Sequence, residues 1–290
     1  MNDFHHNFLK TRDSEQIFYS SNFKAGEKKN HVLVFNYGLV CSNFHYKTQI
    51  KYFHEKGHPI VLHDYRGHYQ SSGMKHIENI TLSNIAEDLN EILNRLEVET
   101  CHLIGHSMGV NVCFEYARNY QARLESMVLI AGTLIPVHNI MMNTHITGPI
   151  NTVMEKMLEK YPKEFNLLWK YTGWNPLTRK MVLRGGFNTK QVGNDFIETY
   201  LNKLGQLGPE LFIQLINQMQ QHDLLAFIHK IKTPCLLIGG NRDKVIPNFQ
   251  QRLLHEKLPH SEVYIVHEGS HVPQVDFPKM VNERIEYFLT

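Results

Sequence analysis

The stretch Leu103–Asn111, LIGHSMGVN, places Ser107 between two glycines, Gly105 and Gly109, directly after an apolar run. Glycine is the residue that tolerates a positive φ and the close approach of another backbone segment. A glycine two positions before the serine and another two positions after it therefore predict a cramped turn that holds the hydroxyl outside the fold. The apolar run before the turn and the helical pattern after it predict a strand, a turn and a helix in that order.

Short apolar runs alternate with helical patterns on both sides of this turn, which predicts parallel strands in a sheet covered by helices on both faces. From about residue 134 to 227 the pattern changes, because apolar residues there recur only at helical spacing. We therefore predict an α/β fold with a mostly parallel sheet from residues 1–133 and 228–290, interrupted by an all-helical insertion at 134–227. Residues 6–10 and 16–23 are predicted to open the chain as a hairpin.

Composition excludes several functional classes. Apolar residues make up 42% of the 290 residues, which is enough for a large buried core. The 30 basic and 28 acidic residues nearly balance, so we expect neither nucleic acid nor an anionic membrane as a partner. No secretion signal or membrane span is evident, and we expect a cytoplasmic protein. Nothing in the pattern indicates an oligomeric state, and four cysteines without a CxxC pair are expected to be reduced and mostly buried: Cys41, Cys101, Cys113 and Cys235.

The segment His54–His58, HEKGH, fits the zinc-protease pattern H-E-x-x-H. That pattern binds zinc only when a continuous helix places both histidines on one face. Gly57 ends the helical pattern, and Pro59 biases His58 away from the α region. We therefore expect no zinc site in this segment, and we expect the protein to need no metal and no cofactor.

A serine hydroxyl becomes a useful nucleophile only when a base takes its proton and an acid orients that base. Asp243 follows the predicted strand at 233–240, and His271 follows the next predicted strand. The carboxyl ends of parallel strands lie at one edge of a sheet, so both side chains are expected to meet Ser107. Taken alone, such an aspartate is commonly a turn former and such a histidine a surface residue. Their joint placement predicts His271 as the base and Asp243 as its orienting acid.

Asp276 and Asp223 are the other candidates for the acid that orients His271. The strand that follows the Ser107 turn ends in LIAGTLIP, which contains no carboxylate, and this favours Asp243 as the acid. Asp276 is expected to cap the last helix or face solvent, and Asp223 is expected to begin a helix. For the oxyanion of an acyl-transfer intermediate, we predict two backbone N–H donors, those of Met108 and Leu39.

With these residues in place, the chain resembles the α/β-hydrolase fold superfamily, and its serine esterase and lipase branch in particular. The segment 105–109, GHSMG, is similar to the family's nucleophile elbow, and 63–73, HDYRGHYQSSG, to its D-x-R-G-x-G-x-S loop. Residues 239–247 and 268–278 are similar to its acid and histidine loops. Two departures are Tyr37, which replaces the family's histidine before Gly38, and Tyr69, which replaces a glycine and is expected to stiffen its loop.

The resemblance implies that the insertion is a helical cap, whose methionine and aromatic side chains would suit a flexible acyl chain. We place the substrate pocket among five residues: Tyr37, His106, Trp169, Trp174 and Val272. Motifs and resemblance together predict a serine hydrolase that cleaves a carboxylic ester, or lipid-like ester, with a small to medium, moderately apolar acyl group. A thioesterase, a C–C bond hydrolase or an acyltransferase with the same triad, and a non-catalytic protein that binds hydrophobic ligands, remain alternatives.

Overall fold

A computed structural model of the chain describes residues 3–133, 147–171, 175, 176, 179, 180, 183 and 186–290. It contains one sheet of eight strands in the order β1-β2-β4-β3-β5-β6-β7-β8. β1 and β2 form an antiparallel hairpin, β2 pairs antiparallel with β4, and the remaining neighbours are parallel. The strands are β1 His5–Lys10, β2 Gln16–Ser21, β3 Val32–Asn36, β4 Ile60–His63, β5 Cys101–His106, β6 Leu124–Ile130, β7 Cys235–Gly240 and β8 Ser261–Val266.

The helices alternate with the parallel strands, as the sequence pattern predicts. They are α1 Lys47–Glu55, α2 Leu82–Arg95, α3 Met108–Tyr120, α4 Thr147–Lys160, α5 Pro162–Lys170, α6 Asn194–Gln206, α7 Pro209–Gln221, α8 Phe249–Lys257, α9 Pro273–Asp276 and α10 Pro278–Leu289. The described elements thus confirm the predicted fold class of a mostly parallel sheet flanked by helices.

The core consists of two apolar layers, one on each face of the sheet. Successive strand residues point to opposite faces, so Leu103 and Ile104 on β5 belong to different layers. One layer packs the sheet against α1 and α10, through residues such as Phe53 and Ile285. The other packs it against α2, α3 and α8, and the four cysteines are all buried and free. Burial on both faces is what allows the central strands to be apolar runs rather than alternating ones.

Among the described residues, α4 to α7 lie between β6 and β7 in the chain. In the part of this segment that the structure describes, from residue 147 to 227, no strand is present. The predicted boundary at residue 134 lies outside the described residues. Across those that are described, no helix combines the length and the apolar character that crossing a membrane would require.

The segment His54–His58 is not a continuous helix. α1 ends at Glu55, and Gly57 adopts a φ of +81°. The Nδ1 atom of His54 lies 3.1 Å from the side-chain amide nitrogen of Asn22, the residue that follows β2. The helix therefore stops where the glycine predicts, before the second histidine of the pattern.

A buried ion pair joins the loop after β4 to the helical layer. The guanidinium of Arg66 donates two hydrogen bonds to Asp88 on α2, at 2.5 and 2.7 Å, and a further one to Asp13 in the β1–β2 turn. The side chains of Arg66 and Asp88 are almost fully buried. Arginine presents a planar fork that matches a carboxylate, which makes this pair geometrically specific. It anchors a loop that runs beside the carboxyl edge of the sheet.

We expect Asp88→Ala to lower the free energy of unfolding by about 3–5 kcal/mol, because it leaves the Arg66 guanidinium buried without its main partner. The measurement is urea denaturation followed by circular dichroism. Glu283→Ala is the control, because Glu283 pairs with Lys279 at the exposed surface of α10 and such pairs contribute about 0.5 kcal/mol or less. Equal losses in the two variants would contradict a special role for the buried pair.

Candidate active site

Ser107 occupies the single residue between the end of β5 and the start of α3. Its backbone has φ 53° and ψ −118°, a conformation that costs a non-glycine residue about 1–3 kcal/mol. The Ser107 N–H donates to the carbonyl of Ile130 on β6, and the Ser107 carbonyl accepts from Val110 in α3, both at 2.9 Å. These bonds hold the strained turn from both sides, so its side chain stands at the carboxyl edge of the sheet.

The two glycines around Ser107 are required by close contacts between backbones. A Cβ atom at Gly105 would lie 2.7 Å from the Cys113 sulfur and from the Gly109 carbonyl oxygen. One at Gly109 would lie 2.0 Å from the carbonyl oxygen of Asn36 at the end of β3. The sequence pattern therefore reflects two contacts, one within the turn and one between α3 and β3.

His271 and Asp243 reach Ser107 from the loops after β8 and β7. His271 Nε2 lies 3.1 Å from Ser107 Oγ, and His271 Nδ1 lies 2.9 Å from Asp243 Oδ2. The other Asp243 oxygen accepts hydrogen bonds from the N–H groups of Val245 and Ile246, each at 2.8 Å. An ionised Asp243 that accepts the Nδ1 proton leaves the Nε2 lone pair directed at the hydroxyl. This is the arrangement that a general base needs.

A second close backbone contact brings the acid and histidine loops together. A Cβ atom at Gly240 would lie 2.2 Å from the carbonyl oxygens of both Gly269 and Ser270. The Arg242 N–H also donates to the Gly269 carbonyl at 2.8 Å. Residue 240 must therefore be glycine for the loop that carries Asp243 to lie against the loop that carries His271.

His106 supports the loop that carries His271. It is buried at the end of β5, and its Nε2 donates to the His271 carbonyl at 2.9 Å. Burial lowers the pKa of His106 well below its ordinary value, so its imidazole is neutral. We predicted His106 as a pocket residue, whereas the structure places it where it fixes the backbone of His271.

Asp276 has the same supporting position, and our expectation that it caps the last helix or faces solvent was wrong. It is buried at the end of α9, and its Oδ2 accepts the Ser270 N–H at 2.6 Å. Burial raises the pKa of Asp276. The short helix α9 turns this carboxylate back toward Ser270, the residue before His271. The sequence motif alone does not indicate this reversal of the chain.

Tyr37 lies inside the core rather than at a surface open to a ligand. Its hydroxyl accepts the Tyr65 N–H at 2.8 Å, and its carbonyl accepts the Tyr65 hydroxyl at 2.9 Å. The two rings pack with centroids 4.1 Å apart, and burial raises the pKa of Tyr37 well above its ordinary value. Tyr37 thus joins the end of β3 to the loop after β4, and its place in the substrate pocket stays a prediction.

The two predicted oxyanion donors lie on either side of the Ser107 turn. A Cβ atom at Gly38 would lie 3.1 Å from Ser107 Cβ, so the chain that continues to Leu39 passes beside the serine. Met108 is the first residue of α3, where the positive end of the helix dipole lies. Within the described residues, no acceptor is found for the N–H group of Leu39 or of Met108. Both donors are therefore available to an oxygen bound near Ser107.

The other predicted pocket residues, Val272, Trp169 and Trp174, lie in different parts of the chain's structure or outside the described residues. Val272 is buried directly beside His271. Trp169 on α5 donates from its Nε1 to the Leu207 carbonyl at 2.6 Å and borders a cavity of about 760 Å³ between α5 and α6. That cavity includes none of Ser107, Asp243 and His271, so we do not assign it to their chemistry. Trp174 lies outside the described residues.

Part of the insertion lies against the histidine loop. Ser270 Oγ donates to the Gly186 carbonyl at 3.1 Å, and the Asn188 amide donates to the Glu268 carbonyl at 2.8 Å. Between these two anchors Phe187 begins an aromatic cluster that continues into α6 with Phe196 and Tyr200. The insertion therefore brings apolar rings to the same edge of the sheet as Ser107.

His45 is a residue that the sequence analysis did not single out. It is buried in the short helical turn after β3, with its ring against Phe196 and Tyr200. Neither ring nitrogen has a hydrogen-bond partner among the described residues, and burial lowers its pKa to about 3. No motif marks it, since its position depends on the contact between the β3 loop and α6.

Comparisons with known proteins agree with this architecture. A family model described as alpha/beta hydrolase fold matches residues 31–278. The mouse protein ABHD8 is 27% identical over 91% of this chain, and the chain spans 56% of the length of that relative. The uncharacterized hydrolase YugF of Bacillus subtilis is 25% identical over 96% of both chains. An esterase from Exiguobacterium antarcticum has a similar structure, with a TM-score of 0.77, 18% identity and coverage of 98% of this chain and 99% of its own.

We expect Gly109→Ala to destabilise the protein by about 3 kcal/mol, since its Cβ would collide with the Asn36 carbonyl and force α3 away from β3. The thermal unfolding midpoint measures this loss. Gly193→Ala is the matched control, because a Cβ at Gly193 meets nothing within 4 Å and its φ is −67°. A Gly109→Ala protein as stable as Gly193→Ala would contradict the contact.

Proposed function

The chain belongs to the alpha/beta hydrolase fold family, and from that premise we propose that it is a serine hydrolase. Its proposed reaction is the cleavage of a carboxylic ester with a small to medium, moderately apolar acyl group. The observation that carries the proposal is the chain of two hydrogen bonds from Ser107 through His271 to Asp243, at 3.1 and 2.9 Å. Such a chain provides a nucleophile, a base within reach of its proton, and an acid that orients the base.

In the proposed reaction, Ser107 Oγ attacks the ester carbonyl while His271 Nε2 takes the hydroxyl proton. Asp243 stabilises the imidazolium and keeps its ring in place. The negative oxygen of the tetrahedral intermediate accepts hydrogen bonds from the N–H groups of Leu39 and Met108. One such donor contributes about 3–4 kcal/mol to the stability of a transition state.

The intermediate then collapses with cleavage of the bond to the alcohol oxygen. His271 gives its proton to that oxygen, so the alcohol leaves neutral and the acyl group remains on Ser107. A water molecule next loses a proton to His271 and attacks the acyl carbonyl. Release of the acid returns the proton to Ser107, and the protein recovers its initial state.

We further propose that residues 134–227 form a cap over the site. The hydrogen bonds from Ser270 and Asn188 support this assignment, because they tie the insertion to the histidine loop. The rings of Phe187, Phe196 and Tyr200 beside that loop support an apolar acyl group. The four buried, reduced cysteines support a location in the reducing cytoplasm.

Ser107→Ala is expected to lower kcat/KM for 4-nitrophenyl butyrate by roughly 10⁴-fold or more, because no other group can form the acyl intermediate. Ser83→Ala provides the matched control, since Ser83 is an exposed serine on α2. The release of 4-nitrophenolate is followed by absorbance for both variants. Turnover by Ser107→Ala at the rate of the unmodified protein would overturn the proposal.

Asp243→Asn is expected to lower kcat by roughly 10⁴-fold, because an amide no longer stabilises the imidazole tautomer that leaves Nε2 free. Its fold should be retained, which circular dichroism checks.

Labelling by a fluorophosphonate provides an independent test of an activated hydroxyl. Mass spectrometry should find the adduct on Ser107 of the unmodified protein, and an unlabelled protein would instead favour a non-catalytic binding role.

A further inference from the structure

At the opposite edge of the sheet from Ser107, three side chains with metal-binding atoms converge. His31 precedes β3, His102 lies on β5 and Glu125 lies on β6. Glu125 Oε2 lies 2.5 Å from His31 Nδ1 and 3.1 Å from His102 Nε2. All three ligand atoms lie within 4.8 Å of one another. His102 and Ser107 are five positions apart in the chain, which corresponds to about 16 Å along an extended strand.

An irregularity in the sheet makes this convergence geometrically possible. Cys101 pairs with Leu124, but the next residue, His102, pairs with Ser126, so Glu125 has no partner of its own on β5. Consecutive residues of a regular strand point to opposite faces and could not both reach one side chain. The extra residue re-aims Glu125, with the result that Glu125 and Ser126 both contact His102.

The surroundings of His102 resemble those of a metal ligand that is held by a second contact. Its Nδ1 atom lies 2.8 Å from Ser126 Oγ, and its side chain is 8% exposed. If His102 donates its Nδ1 proton to Ser126, its Nε2 lone pair is left to bind an ion held between His102 and Glu125. Histidine ligands commonly donate their second N–H in this way.

His31 completes the group from the solvent side. Its φ is +56°, and its N–H donates to the Thr100 hydroxyl at 3.0 Å, which holds the residue in this uncommon conformation beside β5. The rings of His31 and His102 are stacked with centroids 5.9 Å apart. The His31 side chain is 69% exposed, so an ion can enter from water without any rearrangement of the core.

We propose that His31, His102 and Glu125 form a binding site for a divalent transition metal, with Zn²⁺ the ion that suits it best. Two imidazole nitrogens and one carboxylate oxygen are a common set of three zinc ligands, and water supplies the fourth. Binding requires His31 Nδ1 and Glu125 Oε2 to separate by about 0.8 Å, from 2.5 Å to the roughly 3.3 Å between two tetrahedral zinc ligands, and the exposed His31 side chain can make this movement. The site ties β3, β5 and β6 together at the edge opposite Ser107, so its role is to stabilise the sheet.

The test is thermal unfolding and calorimetric titration of the whole chain, first treated with a chelator and then given ZnCl₂. At about 100 times the dissociation constant, we expect the unfolding midpoint to rise by roughly 5 °C. His31→Asn and Glu125→Gln should each lose this rise and bind one equivalent of Zn²⁺ fewer. Asparagine is chosen because it tolerates the positive φ of His31, which keeps the variant folded.

His76→Asn is the matched control, since His76 and Glu78 form an exposed histidine–carboxylate pair that no third metal-binding side chain joins within the described part of the chain. It should keep both the rise and the stoichiometry, and MgCl₂ should stabilise none of the proteins, because Mg²⁺ prefers oxygen ligands. An unmodified protein that takes up no Zn²⁺ would show that the three side chains form only a hydrogen-bonded cluster. A rise that persists in His31→Asn would place the metal elsewhere, and either result overturns the proposal.

Discussion

The contact between the Asn36 carbonyl and Gly109 is the constraint on which the site depends. It presses the end of β3 against the first turn of α3, so closely that a methyl group at residue 109 would lie 2.0 Å from the oxygen. Because the two elements touch there, the chain that leaves β3 through Gly38 must pass beside Ser107. Leu39 and Met108, the two proposed oxyanion donors, are thereby both brought next to the serine.

The strain at Ser107 is retained for the same reason. A residue with φ 53° and ψ −118° would relax if either flanking element could move. β5 cannot move, since it is paired on both sides by β3 and β6, and α3 cannot move without losing its contact with Asn36. The pairing and packing of the sheet thus offset the free-energy cost of the strained backbone at Ser107, which holds the hydroxyl at the edge of the sheet. A similar contact at Gly240 fixes the loops of Asp243 and His271, and the buried side chains of His106 and Asp276 hold the His271 loop as well.

The sequence predicted the elements that local pattern determines, and it failed where distant segments decide. Strands and helices were predicted because apolar periodicity and glycine stops are local properties, and the meeting of Ser107, Asp243 and His271 followed from the common edge of parallel strands. Asp276 was placed wrongly because its burial depends on how the short helix α9 folds back onto Ser270, and the contact of Tyr37 with Tyr65 joins segments 28 residues apart. His45 carries no motif, and the extra residue at Glu125 leaves no mark in an ordinary apolar alternation.

Both ends of β5 carry histidines, and the reason is the same at each end. Where a central strand stops, its ladder ends and the covering helices part, so polar side chains can gather without leaving backbone groups unpaired. At the carboxyl end, His106 donates from its Nε2 to the His271 carbonyl, while its buried Nδ1 has no hydrogen-bond partner among the described residues. At the amino end, His102 shares a single carboxylate oxygen with His31. A cation bound among these atoms would use both nitrogen lone pairs and the carboxylate oxygen at once, which is the physical basis of the metal site proposed at the amino edge.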